Sequence, residues 1–426
     1  MLTSLFTAVS GMNANGVALS VIGDNVANMN TTGFKSSKAA FGDILSQSLG
    51  TSQIGRGVTV SAVTPMFTQG SFENSASVLD LAVDGDGLFI VGDSSGTFYT
   101  RAGQFTMDKE GYVVNPDGMR LQGYLFSATG TASSGLGDIN LSTLNSSPNK
   151  TTTVEISANI DSRETAIAGG FDVTDPDNTS HFSSSITVYD SLGNGHVVNI
   201  YFTKNVETPT GNTWEWNAVV NAGDSFSGNT EIQATGTLDF DNNGFLDTES
   251  AITYPTGGFD FTGGADADQT IDFEFGTSIA EGGAGNDGTT QYGAASATIF
   301  QSQDGYSSGS LRSITITQEG IITGIFTNGQ TRAVGQIALA KFLAPTELTK
   351  MGKNLYAEST DSGQPVISVP GTSGTGQVLA NTLELSNVDL AEEFVKMIIS
   401  QRGFQANSRI ISMSDELMQE MVNLKR

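Results

Sequence analysis

The stretch MLTSLFTAVSGMNANGVALSVIGDNVANMNTTGFKSSK, residues 1–38, decides how the chain is organised. At alternating spacings of three and four it carries Leu2, Leu5, Val9, Met12, Gly16, Leu19, Gly23 and Val26, six apolar side chains and two glycines on one stripe of a helix. A stripe of this kind is a seam that needs a partner. At 1.5 Å per residue the helix runs about 40 Å, and the chain then reads Asn25-Val26-Ala27-Asn28-Met29-Asn30-Thr31-Thr32-Gly33-Phe34-Lys35. Asn and Gly tolerate positive φ, so this run is a helix exit and a sharp turn, with Phe34 as an apolar anchor.

A matching stripe stands at the other end of the chain, through Leu390, Phe394, Met397, Gln401, Phe404, Ser408, Ile411, Asp415, Met418 and Val422. Seven of these ten are apolar, and the spacing predicts a helix of roughly 50 Å. Asn387 is the expected cap, with Glu392 and Glu393 in the first turns and Lys425-Arg426 at the end, the charge order a helix dipole favours. Gln401, Ser408 and Asp415 recur every seventh place, which points to a stripe that partly meets water or another subunit.

These ends resemble the axial proteins of the bacterial flagellum, the family of rod, hook and hook–filament junction proteins. The resemblance rests on Asn25, Asn28, Thr31, Gly33, Phe34 and Lys35, and on Ser386-Asn387-Val388-Asp389 through Gln401-Arg402-Gly403-Phe404-Gln405-Ala406-Asn407-Ser408. The ends alone are common to all members.

With 426 residues, 51 of them Gly and only 15% charged, the chain has room for two or three domains and favours β-structure with many turns. It has no cysteine, so there is no disulfide framework and no thiolate metal site. Residues 1–40 have no basic n-region, continuous apolar core or small-residue cleavage site, and no uninterrupted apolar run reaches membrane-spanning length. The resemblance implies export without cleavage through the flagellar type III apparatus. Phe41-Gly42-Asp43-Ile44-Leu45 is similar to the aromatic-x-x-x-apolar recognition element of such substrates, although Leu45 stands where a second aromatic is usual. The alternative for Phe41 and Leu45 is an ordinary helix-end contact.

The net charge of −26 is concentrated in the middle. Residues 1–147 carry 6 basic and 11 acidic side chains, residues 148–300 carry 3 and 22, and residues 301–426 carry 10 and 12. Such a centre repels nucleic acid and anionic membranes and suits a solvated outer face, while near-neutral ends can pack against copies of themselves.

Asp80 to Val91 reads as two short strands around Asp84-Gly85-Asp86-Gly87. Asp-Gly makes this a hairpin turn; the other reading is a calcium site from Asp80, Asp84 and Asp86, for which loop spacing is lacking. Further hairpins are predicted at 99–105, 108–114 and 115–124, and again from Asp304 through Asn328-Gly329 to Phe342. Within the intervening segment, Ile186 and Val188, then Val198, Ile200 and Phe202, then Trp214, Trp216, Ala218 and Val220 alternate with other residues, as in a sandwich or barrel with one face in a core. His181 and His196 read as turn and strand residues. Asp239 to Ser250 has positions 1, 3, 5, 6 and 9 of a calcium loop, but Ser250 stands where a bidentate Glu is needed and Glu249 comes one place early, so a plain hairpin turn is favoured.

The expected fold is mixed: terminal α-helical coiled-coil segments plus two mainly β domains. A core helix at 1–28 pairs with one at 380–426; 29–70 is a connector; 71–147 and 301–379 form a discontinuous inner β domain; and 148–300 is an inserted, acidic outer β-sandwich or barrel. Inner-domain strings on both sides of one insertion look most like the hook members of the family.

That likeness implies a non-enzymatic, cofactor-free subunit of a curved, flexible tube that acts as a universal joint and encloses the export channel. Its partners would be copies of itself, the distal rod protein, the hook–filament junction protein, the hook cap and the export apparatus, at an extracellular site, with no nucleic acid and no membrane insertion. The alternatives are a distal rod or junction protein, or a secreted β-rich adhesin. The adhesin leaves the two terminal seams unexplained, and no nucleophile motif or selected carboxylate pair points to catalysis.

Overall fold

A computed structural model describes residues 2–44, 47–49, 52–127, 132–141 and 145–423 of the chain. They form two compact units: 1–144 with 312–325 and 331–426, and 145–311 with 326–330.

The first unit begins with a helix over Leu2–Ala27 and ends with one over Leu390–Asn423, and the two pack against each other. Within Ser4–Ala27 an 18-residue window of the first helix has a mean hydropathy of 1.4, and the helix is long and apolar enough to cross a membrane by length and composition. Looking for an unbroken apolar run missed this, because Ser, Asn and Gly interrupt the stretch while only Asp24 charges it. At its exit Gly33 has φ +68° and Phe34 is buried, as the Asn/Gly run predicts.

The expected connector is a β-hairpin in its first part. Ser37–Asp43 pairs antiparallel with Val58–Pro65, with a register shift between Ala40 and Phe41, and both strands lie against the N-terminal helix. The alternation in Val58-Thr59-Val60-Ser61-Ala62-Val63 favours a strand, but the Ser, Thr and Gly around it disguised the pattern. Phe41 is therefore an exposed strand residue opposite Val60, not a helix-end contact; Leu45 lies outside the described residues.

Beyond the hairpin, antiparallel strands from both ends of the chain join in one sheet. Arg120–Phe126 pairs with Leu88–Asp93 through Arg120 and Leu121 and with Thr331–Ile337 through Gly123 to Leu125, so segments more than two hundred residues apart are neighbours. The turns at Asp108–Tyr112, Asn115–Met119 and Asn328-Gly329 close hairpins as expected. The one at Asp84–Gly87 does not: Leu81–Asp84 pairs with Gln377–Ala380, while Leu88–Asp93 pairs with Gly96–Thr100. Those four residues turn a corner between two sheets.

In the second unit five antiparallel strands follow in chain order, Phe182–Tyr189, Gly195–Thr208, Gly211–Val220, Glu231–Phe240 and Leu246–Glu249. A separate sheet contains Asp272–Glu274, Thr153–Asn159 and Ala297–Gln303. Inward-facing residues of both sheets share one core, in which Trp216 lies 5.0 Å from Phe273 and 5.2 Å from Phe275 between ring centroids. Asp241-Asn242-Asn243-Gly244 is a turn between paired strands: Asp241 Oδ1 accepts from the backbone N–H of Asn243 and Phe245, and Gly244 has φ +82°. His196 sits between Asp190 and Asp224 and stacks on Phe261 at 4.2 Å, while His181 Nδ1 accepts from the Lys204 backbone N–H.

Both tryptophans lie in this second unit, so their fluorescence reports its unfolding alone. Phe202→Ala, which removes a fully buried ring, is expected to lower the unit's stability by about 3–5 kcal/mol in urea melts read by that fluorescence. An unchanged midpoint would show that Phe202 is not part of a close-packed core.

Candidate assembly surface at the terminal helices

The helix pair is antiparallel, with Asn25 facing Glu393, Asn15 facing Gly403 and Gly11 facing Asn407. The buried line on the first helix is Ala8, Gly11, Ala14, Ala18, Ile22 and Asn25, and on the second it includes Glu393 and Ser414, with Gly403 and Asn407 half-buried. On each helix this seam runs one residue ahead of the stripe read from the heptad spacing. Leu5, Val9, Met12, Leu19 and Val26 flank it half-buried, as do Leu390, Met397 and Ile411, whereas Phe394, Phe404 and Met418 are exposed. The side chains of Leu2 and Val422 lie outside the described residues. The reason for the offset is size: glycine and alanine let two helices approach closely, so the line of small residues wins the contact.

The consequence is an outward face of large apolar side chains. Val395, Ile398 and Ile399 on the C-terminal helix are half or more exposed, and Phe6 on the N-terminal helix is 67% exposed. Each such residue buried by a neighbouring molecule contributes about 1.5–3 kcal/mol to association before ordering costs.

A buried network fixes where the helices leave the β-structure. Asn25 donates Nδ2 to the Ser37 carbonyl at 2.9 Å and to Glu393 Oε2 at 3.1 Å, and its Oδ1 accepts from the Ser37 N–H at 2.8 Å. Asn28 bonds back to Asp24 and accepts from the Thr31 hydroxyl, which tightens the exit. Gly33 is confined by more than its φ, since a Cβ there would lie 2.5 Å from the Ala102 nitrogen; its N–H donates to the Glu384 carbonyl at 2.8 Å.

Lys35, almost fully buried, donates Nζ to Glu384 Oε1 at 2.6 Å and to the Thr68 carbonyl at 2.8 Å. Glu384 Oε1 also accepts from the Gly70 N–H at 2.8 Å, and Oε2 accepts from Arg101 Nε at 2.5 Å. The rest of the Arg101 guanidinium donates to the carbonyls of Val83, Gly85 and Gly87, and so the Asp-Gly corner curls around it.

Burial acts to raise the Glu384 pKa, but the charges of Arg101 and Lys35 and their hydrogen bonds outweigh it and hold the carboxyl below the usual glutamate range. Burial draws the Lys35 ammonium below its usual value, with Glu384 pulling the other way.

Sequence reasoning missed Glu384 and Arg101. In Thr382-Leu383-Glu384-Leu385-Ser386 the polar residues are buried and the leucines half-exposed, the reverse of an ordinary strand, so only that inverted alternation hinted at a polar interior. It also misassigned the helix cap. Asp389 Oδ1 accepts from the Ala391 and Glu392 N–H groups, because Leu390 is the first helical residue and only the side chain just before it reaches them. Asn387 instead accepts from the Ser36 N–H and donates to the Met66 and Thr68 carbonyls, tying the helix approach to the hairpin.

Four family models match consecutive parts of the chain. They are "Flagella basal body rod protein" at 5–35, "Flagellar hook protein FlgE/F/G D1 domain" at 82–160, "Flagellar basal body protein FlaE D2 domain" at 159–306 and "Flagellar basal body rod FlgEFG protein C-terminal" at 379–424. Among similar proteins, the flagellar hook protein FlgE of Treponema pallidum and that of Borreliella burgdorferi are each 35% identical, over 100% of both chains. That of Salmonella typhimurium is 33% identical over 99% of this chain and 100% of its own.

Replacing Glu384 with Gln leaves two buried cations without a counter-charge and is expected to cost about 3–5 kcal/mol at neutral pH, measured by urea unfolding followed by helical circular dichroism. Because the folded carboxyl lies below its unfolded value, its stabilisation is present above the ordinary glutamate range and is lost as pH falls through the lower folded value. The gap between E384Q and wild type should therefore close below about pH 4. A gap that stays constant to lower pH would assign the loss to packing.

Proposed function

This chain belongs to the flagellar hook protein family, and from that premise we propose how it builds and works the hook. It is a structural hook subunit of the flagellum. The observation that carries the reading is the outward apolar face of the C-terminal helix, which an isolated subunit leaves in water.

Copies cover that face when they stack with their terminal helices side by side. Contacts of two different patches are heterologous, and a heterologous contact whose rotation does not close produces an open helical tube. The helices Leu2–Ala27 and Leu390–Asn423 form its inner wall around an export channel. The second starts ten residues later than the expected 380, because Thr382–Glu384 pairs as a strand with Phe72–Asn74. The strands of 71–147 and 301–379 form its middle, and the acidic segment 148–300 its exterior. Exposed acidic surfaces make weak, salt-screened contacts, so outer neighbours slide while inner ones hold. Such a tube bends as it turns and passes torque from rod to filament as a universal joint. Leu5, Val9, Met12, Leu19 and Val26, with Leu390, Phe394, Met397, Phe404, Ile411 and Met418, are the assembly residues of this reading.

The finer partners are the distal rod protein at one end of the tube and the hook–filament junction protein at the other, with the hook cap at the growing tip. The subunit leaves the cell uncleaved through the type III export apparatus, and Phe41, exposed on its strand, is available for recognition.

Deletion of the gene tests the assignment. Rods that stop at the cell surface without hook or filament are expected in electron micrographs of envelopes; hooks that lack filaments would move the chain to the junction proteins. Val395→Asp and Ile399→Asp, at exposed positions, are expected to leave the monomer's melting temperature within about 2 °C while abolishing tubes. Normal tubes from both variants would remove this face from the assembly contact. Excision of 148–300 should leave tubes of altered curvature or stiffness, and tubes with the ordinary curve and flexibility would exclude the segment from bending.

A further inference from the structure

Two glycines and two asparagines meet between the terminal helices in a reciprocal contact. A Cβ added to Gly11 would lie 2.7 Å from Asn407 Nδ2, and one added to Gly403 would lie 2.9 Å from Asn15 Oδ1, both closer than real side chains come. Each asparagine thus occupies the space that the opposite glycine leaves. Asn15 is held there by its own helix, donating Nδ2 to the Gly11 carbonyl at 2.7 Å. Ten residues further along, the bond from Asn25 to Glu393 keeps the same register.

The spacing makes that register unique. In an antiparallel pair, Gly403 and Asn407 need a glycine and, four residues later, an asparagine on the other helix. The N-terminal helix has Gly11, Gly16 and Gly23, and Asn13, Asn15 and Asn25, and only Gly11 with Asn15 meets the condition. The C-terminal helix has no second glycine to offer. Heptad stripes, by contrast, look alike after each slip of seven residues, so apolar periodicity leaves the register open.

We infer that this reciprocal glycine–asparagine contact is a register lock for the terminal helices. Its role rests on the assembly reading above. By drawing the backbones together along small residues, the lock keeps Val395, Ile398 and Ile399 outside the pair and available to a second copy of the chain. A slip of seven residues would set Ser4 or Ala18 opposite Asn407 and Lys396 or Ile410 opposite Asn15, in place of the glycines, and force the helices apart, which would disturb the apolar face offered to neighbours.

The absence of cysteine allows a direct test on the full-length monomer. Ala18 and Ser400 line one groove between the helices, and cysteines at both positions should form an intramolecular disulfide on mild oxidation. Gly11→Asn overfills the contact and is expected to lower the disulfide yield about tenfold, within the range overpacking gives; Asn407→Gly empties it and adds a helix-weakening glycine, and is expected to lower the yield by about as much. The double swap G11N/N407G again sets one asparagine against one glycine and should restore both the yield and hook formation in cells.

A generic packing defect would make the double variant worse than either single one, and that result, or unchanged yields in the single variants, would overturn the lock. Yields that follow the lock while every variant builds normal hooks would overturn its role in assembly and leave the register assignment standing.

Discussion

One buried carboxylate ties together the parts of the first unit that the sequence holds furthest apart. Glu384 takes charge-assisted bonds from Lys35 at the end of the helix exit and from Arg101 just past the strand Gly96–Thr100, and a backbone N–H from Gly70 between them. Removing charges from water is costly, and the cost is recovered only when every lone pair finds a donor in good geometry. Here the surrounding backbone supplies the remaining partners. The loop at Asp84–Gly87 abandons hairpin pairing so that three of its neighbouring carbonyls face Arg101, and Gly33 must stay a glycine so that its N–H can reach the Glu384 backbone.

From that anchor the helices leave in a fixed direction. Asn25 and Asn387, both read at first as exit and cap residues, act as cross-braces: one joins the helix to Ser37 and Glu393, the other joins the approach to the C-terminal helix to Ser36 and the Met66–Thr68 backbone. The pair is then built in reverse of a soluble core, with small and polar residues inside and large apolar ones outside. A subunit with this arrangement is stable enough to be placed, through its buried polar network, yet keeps its main hydrophobic gain for contact with other copies.

The second unit follows the ordinary rule. Alternating burial runs along Thr153–Asn159 and Phe182–Tyr189, and Val198, Ile200, Phe202, Trp214 and Trp216 all reach one core. Its acidic residues are spent on turns and solvent, as where Asp241 closes the turn before Phe245.

The sequence by itself determined what depends on local periodicity and turn chemistry. The two terminal helices, the exit at Gly33-Phe34, most of the hairpins and the alternating strands of the second unit were legible because each is set by residues a few places apart. The Asn25–Lys35 motif and its C-terminal counterpart were legible as a family resemblance. Tertiary structure alone decided the helix seam, the corner at Asp84–Gly87, the cap at Asp389 and the Lys35–Glu384–Arg101 cluster. In each of these, residues far apart in the chain compete for one position, and closest approach or charge pairing chooses the winner. Heptad spacing favours the larger apolar side chains, but two backbones in contact favour glycine and alanine, and that preference exists only once the second helix is in place.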